Sequence, residues 1–176
     1  MKIGFASMPL SGHLNPMAAL ARKLQSRGND VVMIGVPDVE PVAQAANLAF
    51  VPFCEKEYPF GSTAELWTQV AKLHGLDVVK YSLEKFSPGI VAAAGIEALV
   101  LDTVYSFLEL VPISLGIPYV QAWVVLNLDL SSSTPLCLFG LPHETTPEAL
   151  TRNAEESAMG RPVPRTDRRA GSGTLC

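Results

Sequence analysis

The first sixteen residues constrain most strongly what this chain can fold into. Residues 3–8 are compact and mostly apolar, which is typical of a buried strand. Residues 11–12 (Ser-Gly) predict a turn, and Asn15 followed by Pro16 predicts a helix with a side-chain cap and a proline at its first position. A strand, a turn and a helix in this order open a βαβ unit, in which ligands bind beyond the carboxyl ends of the strands. His13 lies in the predicted turn and is therefore the first candidate functional residue.

The rest of the chain alternates between the same two patterns. Short, nearly continuous apolar runs predict buried parallel strands, and apolar residues at helical spacing predict helices between them. Ser62 with Glu65 predicts a capping box at the start of the longest helical stretch. The further strands are predicted at 30–36, 49–53, 97–101 and 119–125, and the helical stretches at 39–46, 62–94 and 104–115. This alternation predicts an α/β fold with a doubly wound, Rossmann-like parallel sheet.

Composition narrows the class of protein. The chain has 176 residues, of which 48 % are hydrophobic, and its net charge of −4 disfavours nucleic acid as the main partner. Three widely spaced cysteines predict free thiols in a reducing compartment. No apolar run reaches the ~18 residues of a membrane span, and the N-terminus lacks the pattern of a signal peptide. These features predict a cytoplasmic protein with a globular domain over residues 1–155 and a disordered, atypical tail over 156–176.

Two residues far apart along the chain are expected to meet. In a sheet with strand order 3-2-1-4-5, the first and fourth strands are neighbours about 4.8 Å apart. His13 follows the first strand and Asp102 ends the fourth, so the imidazole and the carboxylate can form a hydrogen bond. Asp102 would then orient His13, and His13 would act as a general base on a substrate hydroxyl. The alternative is that Asp102 only caps the helix that starts near Thr103.

Several segments resemble a known enzyme family. Residues 12–16 (Gly-His-Leu-Asn-Pro), after a short strand, resemble the N-terminal signature of family 1 glycosyltransferases of the GT-B fold. Residues 99–102 (Leu-Val-Leu-Asp), followed by a helix and by 115–118 (Leu-Gly-Ile-Pro), resemble the second landmark of that family. The segment from 135 to 153 is similar to bacterial members that act on macrolide, carotenoid or phenolic acceptors. The resemblance covers residues 1–155.

The resemblance implies a function for these residues. It implies that the chain is the N-terminal, acceptor-binding half of a GT-B fold, in an enzyme that moves a hexose from a nucleotide-sugar, such as a UDP-sugar, to an acceptor hydroxyl with inversion. His13 matches the base of the family and Asp102 its partner. The resemblance implies no metal and no cofactor besides the co-substrate. Phe60, Trp67 and Trp123 are predicted acceptor contacts. The donor domain of the family is absent from the sequence, so we expect a truncated form with little or no transfer activity alone.

Two other functions remain open from the sequence. The βαβ opening is also compatible with a dinucleotide-binding oxidoreductase, although residues 4–16 lack the G-x-G-x-x-G pattern. The chain is also compatible with a non-catalytic module that binds a small molecule. Asp38 and Glu40 resemble an acid-x-acid metal motif, but two acids in the first turn of a helix are common. His143 beside Glu144 is predicted to lie in a surface loop.

Overall fold

A computed structural model describes residues 1–73, 76–124 and 142–159. The chain divides into two compact units, over residues 1–126 and 127–176. The sheet and the helices around it belong to the first unit. In the second unit the described part is residues 142–159, which contain one helix, α7 (Pro147–Met159). The predicted disordered tail starts at residue 156, but residues 156–159 are helical, as the end of α7. Residues 160–176 and most of the predicted loop before residue 142 lie outside the described residues.

Five strands form one sheet in the predicted order, β3-β2-β1-β4-β5, and each neighbouring pair is parallel. The register pairs Ala6 of the first strand with Ile34 of the second and with Leu101 of the fourth. All five predicted strands are therefore confirmed, with boundaries that differ by at most three residues. The strands are β1 (Lys2–Ala6), β2 (Asp30–Gly35), β3 (Ala49–Pro52), β4 (Ala98–Asp102) and β5 (Tyr119–Ala122).

Among the described residues of the first unit, six α-helices connect or follow these strands. They are α1 (Ser11–Gln25), α2 (Glu40–Ala45), α3 (Thr63–Val70), α4 (Leu76–Lys85), α5 (Pro88–Ala93) and α6 (Leu110–Leu115). Short 3₁₀ segments precede α2 at Pro37–Val39 and α6 at Thr103–Glu109. After α6, Gly116 adopts a left-handed conformation with φ of 66°, which a residue without a Cβ tolerates, and the chain turns into β5. No helix within the described residues is both long and apolar enough to cross a membrane.

The predicted start of α1 is wrong. The helix begins at Ser11, so His13 lies in its first turn and Pro16 lies inside it. The carbonyl of Leu10 accepts hydrogen bonds from the amides of His13 (2.9 Å) and Leu14 (2.8 Å), so the helical turn is already closed before Pro16. Pro16 removes only the amide that would bond to the carbonyl of Gly12, and Gly12 is exposed, so water can replace that donor.

The sheet is covered on both faces, as a doubly wound fold requires. Successive residues of a strand point to opposite faces, so Phe5 and Ala6 of β1 enter different hydrophobic clusters. The Phe5 cluster includes Met17 of α1, whereas the Ala6 cluster includes Val91 of α5 and Val111 of α6. The carboxyl ends of all five strands consequently meet at one edge between two apolar layers, and this edge is where the parallel arrangement places a binding site.

The predicted capping box of α3 is also wrong. Ser62 precedes the helix, but its hydroxyl donates to the carbonyl of Pro59 (2.6 Å) and does not cap α3. The carboxylate of Asp38 caps the helix instead. It accepts hydrogen bonds from the amide of Thr63 (2.9 Å), from the hydroxyl of Thr63 and from the amide of Gly61. A capping group 25 residues earlier in the chain cannot be recognised from local spacing.

Candidate active site

His13 and Asp102 lie together at the carboxyl edge of the sheet. Asp102 is the last residue of β4, the neighbour of β1, and His13 follows β1 in the first turn of α1. Nδ1 of His13 is 2.8 Å from Oδ2 of Asp102. The carboxylate is completely buried, whereas 13 % of the histidine side chain is exposed. The carboxylate is thus held inside the protein, and the imidazole connects it to the surface.

The hydrogen bond determines what the imidazole can do. An ionised carboxylate only accepts hydrogen bonds, so a neutral His13 must carry its proton on Nδ1 when it bonds to Asp102. Nε2 is then left with a lone pair, and no described residue forms a hydrogen bond to it. This arrangement provides a proton acceptor at the edge of the protein with a buried negative charge behind it.

Ser7 is a third member of the site that sequence reasoning did not identify. Its hydroxyl donates to Oδ2 of Asp102 at 2.8 Å, and its side chain is buried with 2 % exposure. Ala6 pairs with Leu101, so the residues that follow them, Ser7 and Asp102, lie beside each other. The available signal was a polar residue at the end of an apolar strand, next to the strand that carries the predicted carboxylate.

A cavity of about 210 Å³ lies at the same edge of the first unit. The segments that follow four strands each contribute at least one wall residue, such as Met8 after β1, Val36 after β2, Phe53 after β3 and Tyr105 after β4. The opposite wall comes from α3 and α4 and the residues around them. The remaining lining residues are Cys54, Tyr58, Leu66, Trp67, Val70, Val78, Tyr81, Ser82, Lys85, Phe86 and Leu108. The lining is mainly apolar and aromatic.

Tyr105 lies between two features of the site, because it lines the cavity and is near enough to Asp102 to be affected by its charge. It lines the cavity and follows Asp102 by three residues, in a non-helical conformation (φ −98°, ψ 25°) within the 3₁₀ segment. Burial, and after it the negative charge of Asp102, raises the pKa of Tyr105 above its usual value. Its phenol therefore stays protonated at neutral pH, and it lies close enough to Asp102 to sense the charge of the carboxylate.

The loop after β3 holds α4 at the side of the cavity. The hydroxyls of Tyr58 and Tyr81 form a hydrogen bond, and Nζ of Lys85 forms an ion pair with Glu57. The hydrogen bond with Glu57 raises the pKa of Lys85, and burial raises the pKa of the Cys54 thiol. Every residue of α3 and α4 keeps part of its surface exposed. These polar contacts and the Asp38 cap of α3 add to the packing of Leu66, Tyr81 and Leu83 against the two hydrophobic clusters.

The structure separates the three predicted acceptor contacts. Trp67 lies on α3 and lines the cavity. Phe60 and Trp123 do not line it, and their exposed fractions are 71 % and 54 %. The separation arises because Phe60 is on the outer side of the loop before α3 and Trp123 follows the edge strand β5. Contact of any of the three with an acceptor remains a prediction.

The other candidate residues have ordinary surroundings. Asp38 caps α3, and Glu144 forms an ion pair with Arg152 at 3.6 Å. Within the part of the chain that the structure describes, no three histidine, cysteine or acidic side chains lie together as metal ligands. Neither the Asp38-Val-Glu40 segment nor the His143–Glu144 pair therefore forms such a cluster.

Comparison with known proteins gives matches to structures only. No protein-family model matches the sequence, and no curated protein is significantly similar to it. Spinosyn forosaminyltransferase SpnP matches 90 % of this chain with a TM-score of 0.55 and 19 % identity, over 41 % of its own length. Glycosyltransferase SsfS6 of Streptomyces sp. SF2575 matches 89 % with a TM-score of 0.54 and 15 % identity, over 44 % of its length.

A third match, spinosyn rhamnosyltransferase SpnG, covers 69 % of this chain and 34 % of its own, with a TM-score of 0.52 and 21 % identity. Structures of SpnG exist in complex with spinosyn aglycone and with thymidine diphosphate. The chain thus spans 34–44 % of the length of these three glycosyltransferases. The fold predicted from the motifs is confirmed: the chain has the Rossmann-like α/β fold that forms part of the GT-B glycosyltransferases.

Proposed function

We propose that this chain provides the acceptor side of an inverting glycosyltransferase, with His13 as the general base and Asp102 as its partner. The observation that carries the proposal is the 2.8 Å hydrogen bond between Nδ1 of His13 and Oδ2 of Asp102 at the carboxyl edge of the sheet. The likeness in fold to three glycosyltransferases supports the reaction class. The motif at residues 12–16, which contains His13, supports the assignment of the base.

The reaction follows from the free lone pair of the imidazole. Nε2 of His13 takes the proton of the acceptor hydroxyl while the oxygen attacks the anomeric carbon of a nucleotide-sugar. The bond from that carbon to the diphosphate oxygen breaks on the opposite face, and the nucleoside diphosphate leaves with the electron pair. The configuration at the anomeric carbon is therefore inverted. The buried carboxylate of Asp102 stabilises the imidazolium that forms, as in other His–Asp pairs.

The cavity at the carboxyl edge of the sheet, whose lining includes Tyr105 but neither His13 nor Asp102, is the proposed acceptor site. Its lining is mainly apolar, and its one lysine, Lys85, is paired with Glu57. An uncharged, largely apolar alcohol therefore suits it better than a charged one, because burial of an unpaired charge is costly. The volume of about 210 Å³ is larger than the ~150 Å³ of a cavity that holds benzene. The hydroxyl-bearing ring of an acceptor would fit, with the rest of a larger acceptor outside.

The donor side of the proposed reaction binds a nucleotide-sugar. In SpnG and SsfS6, complexes with thymidine diphosphate have been solved. By this analogy the co-substrate is a nucleoside diphosphate sugar, and we expect either a thymidine or a uridine nucleotide. Residues 1–155 would form the acceptor-binding domain. This chain spans 34–44 % of the length of the three glycosyltransferases, and low transfer activity of the chain alone remains a prediction.

A fusion to the donor half of a related glycosyltransferase tests the proposed base. Replacement of His13 by alanine should reduce kcat of the fusion by ~10²–10⁴, which is the usual contribution of a general base. His143 is exposed, so H143A offers the same chemical change away from the site and should leave the rate unchanged. Equal rates for H13A and the unsubstituted fusion would remove His13 from the mechanism.

A non-catalytic binding module is the second candidate function. The cavity lies within residues 8–108 of the first unit, so binding of a small molecule need not depend on a donor half. Calorimetric titration of this chain with apolar aromatic alcohols tests binding separately from transfer. Saturable binding together with an inactive fusion would favour the binding module over the enzyme.

A further inference from the structure

We propose that Ser7 is a positioning residue that fixes the tautomer of His13 through Asp102. The inference rests on the proposed function for its catalytic meaning, but the coupling of the three side chains can be measured without any transfer reaction. Ser7 follows β1, Asp102 ends β4 and His13 lies in α1, so three separate elements converge on one carboxylate.

Two donors of the site converge on the same oxygen atom. The hydroxyl of Ser7 and Nδ1 of His13 each lie 2.8 Å from Oδ2 of Asp102. Two donors on one oxygen restrict rotation of the carboxylate about its χ2 angle, which is otherwise a broad torsion. Oδ2 is therefore held at the position where only a proton on Nδ1 completes the hydrogen bond. The tautomer with a free Nε2 follows from this restriction.

Burial makes the contribution of Ser7 difficult to replace. Ser7 and Asp102 are both almost completely enclosed, with exposures of 2 % and 0 %. A hydrogen bond to a buried carboxylate is charge-assisted and stronger than one between neutral groups. In the Ser7→Ala variant, Oδ2 loses one of these two donors, and water has little access to the site. We expect the carboxylate to turn away from its position and His13 to populate both tautomers.

The charged and titratable groups around the pair do not substitute for Ser7. Tyr105, from the segment after β4, senses the charge of Asp102 and remains protonated at neutral pH. On α1 the basic side chains Arg22 and Lys23 lie in the last turn, at the end opposite His13. Ser7, which directly follows β1, donates its hydroxyl hydrogen bond to Asp102. The hydroxyl of Ser7 is a neutral donor that holds Oδ2 of the carboxylate beside His13.

Nitrogen-15 NMR of the imidazole rings tests the inference on the chain as it exists. The sequence has three histidines, so the signals of His13 are assigned by their loss in H13A. In the unsubstituted chain at a pH where His13 is neutral, we expect Nδ1 to have the shift of a protonated nitrogen and Nε2 that of an unprotonated one. In S7A we expect the two shifts to approach each other, with at least a threefold rise in the minor Nε2–H tautomer.

Matched variants separate positioning from general damage. Ser7→Thr keeps the hydroxyl and should keep the tautomer of the unsubstituted chain. Ser114→Ala removes a hydroxyl that bonds to the carbonyl of Val111 within α6 and should leave His13 unchanged. Asp102→Asn should itself disturb the tautomer, and addition of S7A to D102N should then change little more.

The outcomes are distinct for the two proposals. Nitrogen shifts of His13 that are the same in S7A and in the unsubstituted chain would overturn the role of Ser7. If S7A fails to fold, S7C, which keeps the size of the side chain but has a weaker donor, replaces it, and His13 nitrogen shifts equal in S7C and the unsubstituted chain would overturn the role. A changed tautomer in S7A together with full activity of the H13A fusion would retain the coupling and refute the proposed base.

Discussion

Asp38 provides the sharpest test of how the wall of the cavity is attached. Its carboxylate accepts three hydrogen bonds, from the amides of Gly61 and Thr63 and from the hydroxyl of Thr63, and so fixes the start of α3. Replacement of Asp38 by alanine removes all three. A single N-cap typically contributes ~1 kcal/mol and up to about 2 kcal/mol to the free energy of unfolding. Because α3 has no fully buried residue to compensate, we expect the upper value, about 2 kcal/mol.

Urea unfolding followed by circular dichroism measures this loss. For a denaturant slope of about 2 kcal/mol per molar, a loss of about 2 kcal/mol lowers the midpoint by about 1 M. D38N keeps one acceptor oxygen and should lose roughly half as much. Glu40, two residues away, is exposed and bonds only to Gln44 of its own helix, so E40A should change the free energy of unfolding by less than about 0.5 kcal/mol.

The contribution of Asp38 should depend on pH with a definite sign. Burial opposes ionisation of Asp38, but the hydrogen bonds from Gly61 and Thr63 outweigh it and hold its pKa below the usual value of 3.8. A carboxyl group with a lowered pKa in the folded state stabilises the protein above its pKa in the unfolded state. The difference between the unsubstituted chain and D38A should therefore be constant from about pH 7 to about pH 5 and shrink below about pH 4. Equal urea midpoints for D38A and E40A at pH 7 would refute the assignment of the cap.

Two further predictions concern the cavity. Phe86 is 2 % exposed and packs edge-on against Phe53, with ring centroids 5.6 Å apart. F86A should therefore lower the free energy of unfolding by ~3–5 kcal/mol in urea titrations. A loss under about 1 kcal/mol would contradict this packing. Burial raises the pKa of the Cys54 thiol above 9.0. Alkylation by iodoacetamide at pH 8, followed by peptide mass spectrometry, should therefore be at least tenfold slower than in the urea-unfolded chain. Labelling at equal rates would show that the thiol is accessible and unperturbed.

The alternation of apolar runs and helical stretches determined the order of the elements. Continuous apolar runs such as residues 30–36 are stable only when both faces are covered, so a parallel sheet between helices followed from the sequence. The right-handed connections of such sheets and their short links then limit the strand order to a few arrangements. The structure has the order that brings the carboxyl ends of β1 and β4 together. The meeting of His13 and Asp102 was predictable for this reason, although they are 89 residues apart.

The sequence by itself did not determine the start of α1, the cap of α3 or the wall of the cavity. Local rules placed the helix start at Asn15 and Pro16, whereas hydrogen bonds to the carbonyl of Leu10 start the helix at Ser11. Asp38 and Ser7 act on partners 25 and 95 residues away in the chain, and only the tertiary structure places them within hydrogen-bonding distance. Periodicity specifies which residues share one face of an element, and it contains no information about which polar groups of different elements meet. Those meetings depend on tertiary packing. At the buried contact of Ser7 with Asp102, no water is available as an alternative partner.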